Sequence, residues 1–360
     1  MNQIDPRLKA YLNTAVKHKA SDLHLQPLAK PHLRIEGKLK PIGNDLLSAE
    51  DSEVIILSAM DDKLKAALET NLEVDYALTI PNLGRFRVSS YMAQGCHEAV
   101  FRLVMPSPKT LQELRIPAIA EKLALQKDGL ILVAGPTGSG KSSTLAGMID
   151  IINESSSKRI ITIENPVEIL HTNKRSLITQ RELGIDTNSF AGALRAVLRQ
   201  DPDVIMVGEI RDKETADAAL QAAQTGHLVL ATIHAGNAEE AIIRLTNLFA
   251  LEERDNIRSV LASLIRGVLV QNLVKDIKGD RLPLVEILIN SSRMQDVISG
   301  EAKADTFLQV LEESDVHGMQ TMDQHIIKLT LEKHLTPEVA LEKARNKHFV
   351  QIQLKKVGML

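Results

Sequence analysis

Gly135-Pro136-Thr137-Gly138-Ser139-Gly140-Lys141-Ser142 carries the clearest chemistry in this chain. It matches the phosphate-loop pattern G-x-x-x-x-G-K-[ST] in full. Glycines at the bends let the backbone wrap around phosphate oxygens, and a helix N-terminus adds amide donors and a favourable dipole. Lys141 is placed to reach the β- and γ-phosphates of ATP, and the Ser142 hydroxyl to ligate Mg²⁺. Ser143 extends the same nucleotide-binding stretch.

A second piece of chemistry ends the apolar run Asp203–Gly208, where Glu209 is followed by Ile210-Arg211-Asp212. A carboxylate there can orient or deprotonate an attacking water near Mg²⁺. Gly208 stands where such strands usually carry a metal-organising Asp. Glu164 ends another apolar run, Ile160–Ile163, and joins the candidate Mg²⁺–water shell. Glu168, beyond Pro166, reads more readily as a solvated acid. His227 and His234 bracket Leu228–Ile233. His234 lies at the strand's exit, where it can hydrogen-bond a γ-phosphate. His227 lies about 20 Å away at the other end and suits a neighbouring subunit or linker. No ligand cluster surrounds either histidine. Arg85 and Arg87 share a face by the period of two, with Arg102 on a nearby strand. Their bland reading is a solvated sheet face. The sharper one is that they act as arginine fingers on the γ-phosphate when subunits close. Arg195 and Arg199 are spaced as an i,i+4 helix pair suited to salt bridging.

The elements that must position these residues fall into two sets. Before the linker, the spacing predicts a helix over 5–20, a strand over 20–25 and a hairpin over 33–39 turning at Gly37. Helices follow over 48–60 and 62–70, then strands over 73–80, 84–93 and 97–104. This is an α+β unit. Met105-Pro106-Ser107-Pro108 reads as a linker, set at 105–114. Beyond it, strands at 129–134, 159–164, 203–208 and 227–233 alternate with helices. Such alternation predicts a mainly parallel sheet flanked by helices. The tail over 319–347 is helical in period.

Composition narrows the function. The 360 residues carry a net charge of −3, so no strong field draws the chain to nucleic acid. Aromatics are 2%, with no Trp, which leaves no stacking platforms for single strands. Cys96 is the only cysteine, so neither a disulfide framework nor a Cys-rich zinc site can be built. No apolar run approaches the ~20 residues of a membrane-spanning helix. The start Met1-Asn2-Gln3-Ile4-Asp5-Pro6 is unlike a signal peptide. A cytoplasmic chain is expected.

Taken in order, Gly135–Ser142, Ile160–His171, Asp201–Asp212 and Thr225–His234 resemble the Walker A, Asp, Walker B and His boxes of the secretion ATPase superfamily. Ala20-Ser21-Asp22-Leu23-His24 and Leu33-Arg34-Ile35-Glu36-Gly37 look like its N-terminal domain. The resemblance runs over about residues 5–350 and is strongest to the type IV pilus retraction ATPases, the PilT/PilU family. It implies a PAS-like α+β domain over 1–104 and a RecA-like P-loop ATPase domain over 115–360. It also implies a ring hexamer with ATP bound between the two domains. By the same resemblance Glu209 is the catalytic glutamate, and His227 and His234 are the His-box pair. Arg85, Arg87 and Arg102 would help complete the site. The implied function is an ATP-hydrolysing motor for pilus retraction and twitching motility. It would work at the inner membrane on a platform protein, with or without a second retraction ATPase. Related secretion or competence motors, or a weakly hydrolysing ring subunit, are the alternatives.

Three departures stand out. Asn165 replaces the usual Asp of the Asp box, Ile233-His234-Ala235-Gly236 replaces Leu-His-Thr, and Ser291–Ile298 lacks the AIRNLIRE motif. The last of these, with the tail Gly318–Gln324, tilts the resemblance toward the PilU side. Assembly ATPases of the superfamily carry a four-cysteine zinc motif, which Cys96 alone cannot supply.

Overall fold

The structure, a computed structural model, describes residues 4–104, 107–302, 306–314 and 318–360. Met1–Gln3 and the Met105-Pro106 part of the expected linker lie outside the described residues. The chain divides into two compact units, Met1–Pro106 and Ser107–Leu360.

The first unit runs α1 (Pro6–Lys17), β1 (Asp22–Leu25), β2 (His32–Ile35), β3 (Lys38–Pro41), α2 (Ala49–Leu57), α3 (Asp62–Asn71), β4 (Glu73–Ile80), β5 (Gly84–Ala93) and β6 (Cys96–Leu103). Asp5 caps α1 with Pro6 in its first turn, and Ser48 and Asp51 form a capping box on α2. The strands form one antiparallel sheet, β3-β2-β1-β6-β5-β4. Two hairpins close on residue pairs with positive φ, Glu36-Gly37 (50° and 80°) and Gln94-Gly95 (51° and 76°). That left-handed pair matches the twist of the flanking strands. Leu23, Leu33, Phe86, Val88 and Phe101 share a core with Leu8, Leu12, Ile55 and Ile56 of the helices.

The second unit runs α4 (Ile119–Ala124), β7 (Gly129–Ala134), α5 (Lys141–Ser155), β8 (Arg159–Glu164), β9 (Leu177–Glu182), α6 (Phe190–Val197), β10 (Val204–Val207), α7 (Lys213–Gln224), β11 (Leu228–Ile233), α8 (Ala238–Asn247), α9 (Arg254–Leu264), β12 (Ile265–Lys275) and β13 (Arg281–Ile289). It ends in α10 (Ser292–Ser299), α11 (Phe307–Glu313), α12 (Met322–Leu331), α13 (Pro337–Lys343) and α14 (Lys347–Lys356). The sheet order is β13-β12-β7-β11-β10-β8-β9, parallel except for the β12–β13 pair. Every residue of β7, β10 and β11 is buried, which explains their unbroken apolar runs.

Three features differ from the expectation. β9 and the β12–β13 hairpin widen the sheet at both edges. The helical tail is three helices, interrupted at Lys333 (φ 60°) and again before Lys347. Residues 107–114, expected as linker, sit in the second unit, where Leu111 is buried in the core with Leu145 and Met148. Gly147 of α5 makes room for it, since a Cβ there would stand 2.8 Å from Leu111.

Candidate active site

Parallel pairing in register decides which residues meet. Ala134 of β7 lies beside Ile233 of β11, and Val207 of β10 beside Ala231 of β11 and Ile163 of β8. Strand exits therefore stand side by side, about 4.8 Å apart. In order they present the loop from Gly135, His234, Glu209 and Glu164. The C-terminal edge of such a sheet is where ligands bind.

The loop turns through positive φ at Gly135 (143°), Gly138 (78°) and Gly140 (93°). A Cβ on Gly135 would lie 2.3 Å from the Gln271 carbonyl oxygen and 2.6 Å from Ser139 Oγ. Lys141, the first residue of α5, donates from Nζ to the carbonyls of Gly135 (2.9 Å) and Pro136 (3.0 Å). Its half-buried setting lowers its pKa, and the carboxylates of Glu209 and Glu168 pull the other way. Ser139 Oγ is buried in the loop without a hydrogen-bond partner. Together these make a cradle for an anion, with a cation at its mouth.

Glu209 is held at both oxygens. His234 Nε2 lies 3.0 Å from Oε1, and Arg211 Nη2 lies 2.6 Å from Oε2. Gly208 sits close against β8: a Cβ there would meet Ile163 O at 3.2 Å and the Glu164 Cα at 3.3 Å, a tight contact that a larger residue would have to ease by a few tenths of an ångström. The Gly208 amide donates to Ile163 O (2.7 Å), and its carbonyl accepts the Thr232 hydroxyl. Glu164 is buried, and burial raises its pKa. Its Oε1 accepts from Thr162 Oγ1 (2.6 Å) and Gln180 Nε2 (3.0 Å), which favours the charged form. A cavity of about 400 Å³ opens beside Glu209 and His234, lined also by Arg211, Arg244 and Asn247.

This geometry matches known proteins. The model of the type II/IV secretion system protein family matches residues 1–348. The chain belongs to that family. It is 42% identical to a twitching motility protein of Neisseria gonorrhoeae, over 88% of this chain and 84% of the relative. It is 38% identical to the type IV pilus retraction ATPase PilT of Pseudomonas aeruginosa, over 92% of this chain and 96% of the relative. A crystal structure of the pilus retraction motor PilT with bound ADP superposes with a TM-score of 0.88 at 37% identity, covering 96% of this chain and 98% of that one. The fold of this secretion-family chain is therefore PilT-like: a PAS-like α+β unit, then a RecA-like P-loop unit that binds nucleotide.

Within this secretion-family chain, His227 lies at the other end of its strand, and three expected site arginines belong to the first unit. His227 is at the entry of β11, where its carbonyl accepts the Gly129 amide at the start of β7. It is at the opposite sheet edge from the loop, with Nδ1 2.9 Å from Ala222 O. The structure does not bring it to Glu209. Arg85, Arg87 and Arg102 belong to the first unit. Register lines up Arg34, Asp22, Arg102 and Arg87 across four strands. The buried Asp22 carboxylate accepts from Arg102 Nε at 2.7 Å and lies 4.0 Å from Arg34 Nε, while Arg87 lies 3.9 Å from Asp75. Arg85, two residues before Arg87, lies on the same face, away from buried Phe86 and Val88.

Reading residue types along the chain misses Gln180, Thr162 and Arg211. Glu168 is exposed, as its bland reading holds, yet its charge reaches Lys141 and Glu164. Asn165 is exposed. Among the described residues, no group of three or more His, Cys, Asp or Glu side chains could hold a metal, and no helix is long and apolar enough to cross a membrane.

Proposed function

We propose that this chain is the ATP-hydrolysing motor of type IV pilus retraction, the activity behind twitching motility. It is an ATPase, with the phosphate loop and Glu209 as its working parts. The observation that carries this is a complete phosphate loop at the exit of β7 with Glu209 two strands along the same sheet, its carboxylate held by His234 at the exit of the strand between them. Similarity to retraction motors across nearly the whole chain supplies the biological setting.

In this reading the Gly135–Ser143 stretch binds the polyphosphate, and Lys141 moves from the loop carbonyls to the β- and γ-phosphates. Glu209 orients the attacking water and takes its proton. His234 fixes the carboxylate and senses the γ-phosphate. Ser142, with Glu164 and Glu209 directly or through water, would hold Mg²⁺. The donors are few, hard oxygens, which suits an ion that keeps water and phosphate oxygens as ligands. Bound there, Mg²⁺ would neutralise phosphate charge. We assign Arg85, Arg87 and Arg102 to phosphate contact in the assembled ring, a homo-hexamer. The chain would be cytoplasmic, docked peripherally on an inner-membrane platform protein.

Asn165 favours a second reading, an accessory motor that hydrolyses weakly beside another retraction ATPase. Gene deletion tests the proposal: retained or excess surface pili with lost twitching support it, and missing pili would refute it. Steady ATP turnover by the purified chain would exclude the weakly hydrolysing subunit.

A further inference from the structure

Glu286 lies within β13 in the apolar run Leu282–Ile289, at 2% exposure. A carboxylate so placed must be paired. Its Oε1 accepts the amide of Ala238 at 2.7 Å. Ala238 opens α8, four residues after His234. Its Oε2 accepts Arg345 Nη1 at 2.6 Å and the amide of Met322, which opens α12, at 3.3 Å. Arg345 Nη2 donates to the Gly236 carbonyl, again in the loop that follows His234. Asp323 fixes the Arg345 backbone, accepting the amides of Arg345 and Asn346 at 2.8 Å each. The same loop is held from its other side, where Glu240 accepts the Gly236 amide at 2.6 Å and pairs with Arg244 at 2.7 Å.

We infer that Glu286 and Arg345 are positioning residues for hydrolysis: the pair, a buried carboxylate and a partly exposed guanidinium, ties the His234 loop to the C-terminal helices and so sets how His234 meets Glu209. The inference rests on the reading that Glu209 and His234 serve ATP hydrolysis. Its physical basis is that one carboxylate and one guanidinium bind three separate segments. These are the loop after β11, the start of α12 and the turn before α14. A shift of the C-terminal helices must move Arg345, and Arg345 pulls directly on Gly236, two residues from His234. The C-terminal helices thereby become a handle on turnover that leaves the phosphate loop alone.

The test is a double-mutant cycle on the full chain, with turnover normalised to nucleotide-binding sites. Arg345→Met should lower kcat about tenfold while ATP affinity changes less than twofold. Arg345→Lys keeps the charge with less of the fork, so it should lose about threefold; it also serves if the Met variant folds poorly. In a His234→Ala background, Arg345→Met or Arg345→Lys should add little further loss. Losses that multiply, or an unchanged kcat in both Arg345 variants, would overturn the coupling while leaving the catalytic reading intact. Unchanged turnover in His234→Ala alone would overturn the role of His234 and the coupling with it.

Discussion

Gly135→Ala is the sharpest test of the phosphate-loop geometry. The new methyl would stand 2.3 Å from the Gln271 carbonyl and 2.6 Å from Ser139 Oγ, at a φ of 143°. Ordinary C···O contacts begin near about 3.3 Å, so the loop and β12 must part by about 1 Å. Backbone strain there costs about 1–3 kcal/mol, and overpacking about 1–3 kcal/mol more. At about 2–4 °C per kcal/mol for a unit of this size, the Tm should fall by roughly 5–20 °C. Gly138 is the control. Nothing lies within 4 Å of a Cβ there, and its φ of 78° leaves backbone strain alone, about 1–2 kcal/mol. Thermal unfolding without nucleotide should therefore rank Gly135→Ala well below Gly138→Ala, and both below the parent chain. ATP affinity of Gly135→Ala, by calorimetry, should weaken at least tenfold because the relaxed loop no longer fits the phosphates. A Gly138→Ala variant as unstable as Gly135→Ala, or a Gly135→Ala Tm within a degree of the parent, would refute the packing argument.

Glu209→Gln should bind ATP normally yet lose at least about a hundredfold in turnover, since the loop's charges stay while water activation goes; parent-like steady-state kinetics would count decisively against the assignment. Lys141→Ala should abolish measurable nucleotide binding by calorimetry, because no other loop side chain carries a positive charge. His325 gives a pH prediction. It is buried, its Nδ1 accepts the Val285 amide at 2.9 Å, and burial pushes its pKa down to about 4. The unfolded chain takes up that proton near the ordinary value of 6.5, so the contribution is fully present above about pH 6.5. It is lost as the pH falls toward about 4, on the order of 3 kcal/mol in all. His325→Gln should flatten the Tm-against-pH curve in that window, and an unchanged slope would remove the histidine from the account.

Much of the hydrolytic edge is legible from residue types because a parallel sheet converts strand exits into neighbours. Once 129–134, 159–164, 203–208 and 227–233 are read as buried strands, their following residues must share one edge, and the loop, Glu164, Glu209 and His234 assemble without further information. What stays hidden has one cause, which is that side chains meet across long stretches of chain. Gln180 supports Glu164 from β9, a strand whose Gln180-Arg181-Glu182 run hides it from any apolar pattern. Gln271 and Glu286 interrupt the long apolar runs of β12 and β13, and both are buried. A polar residue inside such a run is costly unless paired, so each announces a distant partner without naming it. The structure names them: Thr144 of the phosphate-loop helix for Gln271, and Arg345 with the His234 loop for Glu286. Both partners lead back to the hydrolytic edge, so the two strands missed in the pattern are also the supports for the chemistry that the pattern found.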